Sequence, residues 1–168
     1  MKIRTDFVTN SSSSSFILAF QDEKDFHKFT RECDDSNYEA VAKLIKHYRR
    51  RAEAPMEDIK ARAIADLRHW LTWQQSSEYC KQRIDQSLSF SDRLIEEERL
   101  KNTPEYLEFM ESVLANSRYA EYVERINNAE IVVHGTLWDS SGGVLEYAIR
   151  HDLLRTFHPW FVYQEDIG

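Results

Sequence analysis

Ile131-Val132-Val133-His134-Gly135-Thr136-Leu137-Trp138, followed by Asp139-Ser140-Ser141-Gly142-Gly143, is the stretch that decides the fold. Its first eight residues are mostly β-branched or aromatic, which predicts a strand over 131–138. The next five are turn formers and end it. From Val144 to about Phe157 the spacing is helical, and Trp160-Phe161-Val162-Tyr163 is a further short apolar run, predicting a strand at 160–164. Strand, helix and strand in that order make a C-terminal βαβ unit, with a right-handed crossover and parallel strands.

Working outward, Phe16-Ile17-Leu18-Ala19-Phe20 is apolar and bounded by polar residues, the pattern of a buried strand at 16–20. It must join the same sheet, because a lone strand leaves its backbone groups unpaired. Nearly everything between is helical. Phe26 and Phe29 share a face, and after the polar run Cys33 to Asn37 the residues Val41, Leu44, Ile45 and Tyr48 recur at i, i+3, i+4, i+7. Pro55 suits the first turn of a third helix, whose stripe runs Met56, Ile59, Ala63, Leu67, Trp70 and on to Ile84 and Leu88. Ser91 is the expected cap of a short acidic helix, with Phe90 stapled onto Ile95. Thr103-Pro104-Glu105 opens one last helix from Tyr106 through Ile126. The expected fold is therefore α+β or α/β: an N-terminal segment at 1–15, then a single mostly helical domain at 16–168 with a small three-stranded sheet.

The 168 residues are 42% hydrophobic and 12% aromatic with four glycines, which excludes collagenous, low-complexity and wholly disordered chains. A net charge of -7 makes the protein acidic and opposes nucleic-acid binding. Cys33 and Cys80 lack metal or redox spacing and read as free thiols of a reducing cytosol. No apolar run approaches the roughly 18 residues of a membrane helix, and no secretory leader pattern follows Lys2 and Arg4. The expected location is the cytoplasm, with no membrane partner.

Met1-Lys2-Ile3-Arg4-Thr5-Asp6-Phe7-Val8-Thr9-Asn10, five serines and Phe16-Ile17 together resemble an N-terminal signature of uncharacterised bacterial proteins, many from Firmicutes. The resemblance covers about 17 residues and implies a bacterial or phage origin. It brings no assigned function and no catalytic residues. Physically, Ser11 to Ser15 read as a solvated flexible segment. The competing reading is an ordered loop presenting hydroxyls and amides to a ligand or a modifying enzyme.

Three of the four glycines, Gly135, Gly142 and Gly143, fall within nine residues. The candidate ligand site is accordingly Trp138, Asp139, Ser140, Ser141, Gly142 and Gly143, where a strand feeds a helix N-terminus and backbone amides can meet a small anionic ligand. The plainer reading is a strand-to-helix turn capped by Asp139 or a serine. Neither a Walker motif nor a dinucleotide fingerprint is present, and no cofactor is implied. His134 stands roughly 16 Å from Asp139 along an extended strand, too far for a shared catalytic step. His158 falls at the opposite sheet end, and no metal site is expected.

Lys46-His47-Tyr48-Arg49-Arg50-Arg51, with Lys60, Arg62 and Arg68, is either a basic face or a set of cations completing a helix C-terminus. Trp70 and Trp73 are expected in the core, with a helix-mediated homodimer as the alternative. Glu96 to Glu98, Glu105, Glu108 and Glu111 read as a solvated face, with a surface that meets a basic partner as the alternative. With no nucleophile, base or metal set surviving this geometry, the expectation is a binding protein for a protein partner or small ligand and not an enzyme. The alternative is an enzyme acting on a phosphorylated or nucleotide-like substrate at the 139–143 loop.

Overall fold

The computed structural model describes residues 13–35, 39–51, 53–138 and 160–167, and it is a mostly helical α+β protein. The elements run β1 (Ser13–Phe20), α1 (Glu23–Asp35), α2 (Glu39–Arg51), α3 (Met56–Arg83), α4 (Phe90–Lys101), α5 (Pro104–Ala115), α6 (Tyr119–Asn128), β2 (Ile131–Trp138) and β3 (Phe161–Ile167). They gather into two compact units, one of residues 1–59 with 129–168 and one of residues 60–128.

In the first unit β1 is the central strand, antiparallel to β2 on one edge and to β3 on the other. Its apolar run does not alternate because both of its faces are covered. Phe16, Leu18 and Phe20 point one way and Ile17 the other, and all four are fully buried. α1 and α2 supply the cover on the phenylalanine side through Phe26, Phe29, Cys33, Val41 and Ile45. The phenylalanines meet mainly edge to face, at 5.1 Å between Phe20 and Phe26, and Phe29 meets Trp160 at 5.6 Å. Trp160 is pinned further: its indole N–H donates to Asp25 at 2.8 Å and its carbonyl accepts from the Ala19 amide. Asp22 accepts from the Asp25 amide at 2.8 Å and so caps α1, while Asp25 reaches back to the Gln21 amide.

Two sheet expectations change. β2 and β3 run in the same direction, since each is antiparallel to β1, but they are not neighbours; β1 lies between them. The apolar run at 16–20 carries no mark of which strands it will separate. Strand one also begins earlier than expected. Ser13, Ser14 and Ser15 pair with 138–136 and with 167–165, so ladder bonds on both edges override the weak strand propensity of serine. The helix expected at 144–157 lies outside the described residues.

The second unit is helical. Tyr79 stacks on Phe109 at 4.8 Å and meets Tyr106 edge-on at 5.4 Å, with Cys80 and Met110 completing a buried cluster. Thr103 caps α5 by accepting from the Tyr106 amide, and Pro104 occupies its first turn. Three helix boundaries differ from expectation. α3 stops at Arg83, because Asp85 captures the Ser87 amide at 2.8 Å in a turn. The cap of α4 is Ser89, whose hydroxyl accepts from the Asp92 amide; Phe90 is then inside the helix and cannot staple it. The long helix expected to Ile126 is two helices. Asn116 donates to the Ser112 carbonyl and Ser117 donates to the Leu114 carbonyl, and these side chains compete with the helical ladder.

Candidate functional site

Of the site expected from the sequence, Trp138 is the last residue of β2, with its backbone opposite Ser13. Asp139, Ser140, Ser141, Gly142 and Gly143 lie outside the described residues, as does His158. His134 stands in mid-strand opposite Ile17. Among the described residues no group of three or more His, Cys, Asp or Glu is placed to hold a metal ion. Both cysteines are buried free thiols. Burial pushes the Cys33 thiol up to about 12, and it raises Cys80 as well, so neither is an activated nucleophile.

The basic stretch at the end of α2 is partly committed to structure. Arg49 donates to both carboxylate oxygens of Glu23, at 2.9 and 2.6 Å, and lies 4.4 Å over the Phe26 ring. The guanidinium holds the Glu23 carboxyl below its usual range. Lys46 and Arg50 line the open groove of about 420 Å³ beside this pair. In the helical unit, Lys60 is buried and donates to the Asn127 carbonyl, and Arg68 is bound to Glu111. Of the expected basic face, Arg49, Lys60 and Arg68 are thus engaged in internal contacts, while Lys46 and Arg50 border the open groove.

Sequence reasoning missed the apolar surface of the helical unit. Phe90 is 70% exposed, Ile95 65%, Leu107 52%, Leu94 51% and Trp73 50%. The expectation that Trp73 is core is corrected. Ile59, Ala63 and Leu67 mark the buried face of α3, and Trp73, six residues past Leu67, is turned about 120° from it. Trp70 is half-buried. α4 buries none of its residues.

Two recesses lie along α4. One, of about 240 Å³, is lined by Cys80, Ile84, Phe90, Leu94, Arg93 and Lys81 among others. It is chiefly apolar, and the Arg93 Nε–H beside it is buried with no hydrogen-bond partner among the described residues. The other, of about 250 Å³, is lined by Trp73, Ser76, Tyr106, Glu97, Lys101 and His69 among others. Ser77 and Glu97 border both. The signal that would have found α4 is the spacing of Phe90, Leu94 and Ile95, apolar at i, i+4 and i+5 in an otherwise charged helix. No helix among the described residues is long and apolar enough to cross a membrane. No protein-family model, curated protein or solved structure matches this chain.

Proposed function

We propose that the chain is a cytoplasmic bacterial protein that acts by binding a protein partner, without catalysis, on the apolar side of α4. The observation that carries this reading is a helix with Phe90, Leu94 and Ile95 half or more exposed and no buried residue. Burying one such side chain is worth roughly 1.5–3 kcal/mol, and the monomer leaves that unused. Phe90 and Leu94 line one recess with Cys80 and Ile84, and apolar surface gathered in this way marks interaction sites. The rim favours an apolar segment that also bears a carboxylate. Lys81 and Arg93 are both cationic, Glu97 on the same rim is paired with Lys101, and an acceptor from outside would satisfy the buried Arg93 Nε–H.

A photo-crosslinking amino acid at Leu94, with Lys24 on α1 as control, tests the proposal in cells. The expected result is a discrete protein adduct from position 94 alone. The partner, once purified, should lose at least about tenfold in affinity for Phe90→Ser and for Arg93→Glu. Equal adducts at both positions, or full affinity in both variants, would refute the reading.

A further inference from the structure

Beside the apolar recess, the pocket under Trp73 has a different chemistry. Its floor carries the Ser76 and Tyr106 hydroxyls, 2.6 Å apart. Only one of their two protons can lie between them, so the pair keeps one O–H to donate and lone pairs to accept. On the wall, Lys101 Nζ lies 2.6 Å from Glu97 Oε1. The ammonium retains further N–H donors and the carboxylate a second oxygen, while their charges cancel. Glu97 in turn raises the affinity of Lys101 for its proton, chiefly through their hydrogen bond. Thr72 already donates its hydroxyl to the Arg68 carbonyl and can only accept. The half-exposed Trp73 lines the same pocket.

From this arrangement we infer that the pocket binds one ring of a neutral polyhydroxylated ligand, that is, a monosaccharide unit. A sugar ring has an apolar C–H face that stacks on an indole, and hydroxyls that each donate and accept. The pocket supplies the indole, a spare O–H donor, an ammonium and carboxylate acceptors. Because Lys101 and Glu97 offset each other, that pair gives no net charge to favour an ionic ligand. At about 250 Å³ the pocket lies below the roughly 300–1,000 Å³ of drug-sized sites, which restricts it to a single ring. This inference does not depend on a protein partner for α4, because Phe90 and Leu94 line the neighbouring recess and not this one.

The test is a titration of the ¹⁵N-labelled full chain with glucose, galactose, N-acetylglucosamine and ribose to about 100 mM, following the Trp73 indole N–H. Its resonance is assigned by comparison with Trp73→Phe. At least one sugar should give a saturable shift with a dissociation constant near a millimolar, equivalent to about 4 kcal/mol of binding. Trp73→Ala should abolish the response, and Ser76→Ala should weaken it several-fold. Phe90→Ser should leave it unchanged, which separates this site from the partner surface. No saturable shift with any of the four sugars, or undiminished binding in Trp73→Ala, would overturn the proposal. Trp73 is half exposed, so its loss should not unfold the helical unit, and dispersed amide spectra of the variant would verify that.

Discussion

Phe29 and Phe90 show how differently the two units treat one side chain. Phe29, on α1, is fully buried between Phe20 and Trp160. Phe90, at the start of α4, has most of its ring in water. The pattern is general, since every large hydrophobic exposed among the described residues lies within 60–128. A sheet whose middle strand is covered on both faces needs its apolar side chains for stability. A helix such as α4, held by its ends, its ion pairs and its neighbours, can leave them available for other work.

The largest expected effect follows from that contrast. Phe29→Ala should lose about 3–5 kcal/mol, because it removes the ring and leaves a cavity among residues that are themselves fixed. Phe90→Ser should change stability by no more than about 0.5 kcal/mol, as surface substitutions do, and should raise solubility. Chemical denaturation of both variants decides it. A loss above about 2 kcal/mol for Phe90→Ser would mean that α4 is packed more tightly than its exposure implies.

The same contrast governs what was legible in the sequence. Buried elements announced themselves: 131–138 was readable to the residue, and the Phe26/Phe29 and Val41/Ile45 faces were evident from spacing. Features set by long-range choice were not. The position of β1 between β2 and β3 depends on pairings across more than a hundred residues, and Ser13 to Ser15 become strand only through those pairings. The breaks at Asp85 and Asn116-Ser117 rest on single side chains capturing backbone groups, which composition does not reveal. The recesses beside α4 stayed hidden for a related reason. Phe90 reads as a staple residue until Ser89, rather than Ser91, is known to be the cap.

Gly135 sharpens the comparison from the sheet side. A Cβ there would lie 2.5 Å from Cε1 of Tyr48, so the α2 ring packs directly on the β2 backbone. Gly135→Ala should therefore lose about 1–3 kcal/mol by overpacking. In Gly135→Ala combined with Tyr48→Leu the two losses should fall short of additive, because the clash has already gone. Additive losses in thermal unfolding would break this account of the glycine.

An alkaline titration probes the same buried unit. The Cys33 thiol is held neutral by burial to about 12, whereas an unfolded cysteine ionises near about 8.5. The folded state thus keeps its proton where the unfolded state gives one up. Stability from this group is complete below about pH 8.5 and drains away as pH rises toward 12. By about pH 10 the loss should be on the order of 1–2 kcal/mol, and Cys33→Ala should flatten that part of the profile. An unchanged slope between the parent and Cys33→Ala would show that other groups govern the alkaline limb.

The smallest effects belong to the exposed ion pairs, one in each unit. Glu23 is held below its usual range chiefly by its hydrogen bonds to Arg49, and Glu121 chiefly by Arg118. For a carboxylate lowered in the folded state, the contribution is present at neutral pH and is lost as pH falls through its lowered value. Both pairs face water, and salt screens them. They differ in what they join. Arg118, just before α6, and Glu121 in its first turn are only three residues apart and join nothing beyond the start of that helix, so Glu121→Gln should leave the unfolding midpoint unmoved. Glu23 and Arg49 tie α1 to α2 across 26 residues, and Arg49 also covers the Phe26 ring. Glu23→Gln should lower the midpoint slightly at low salt and not at high salt, while Arg49→Ala should lower it in both, because its contact with the ring survives screening. Equal, salt-dependent losses for Glu23→Gln and Arg49→Ala would mean that the pair acts through charge alone, and that packing of the guanidinium on Phe26 adds nothing to the sheet unit's core.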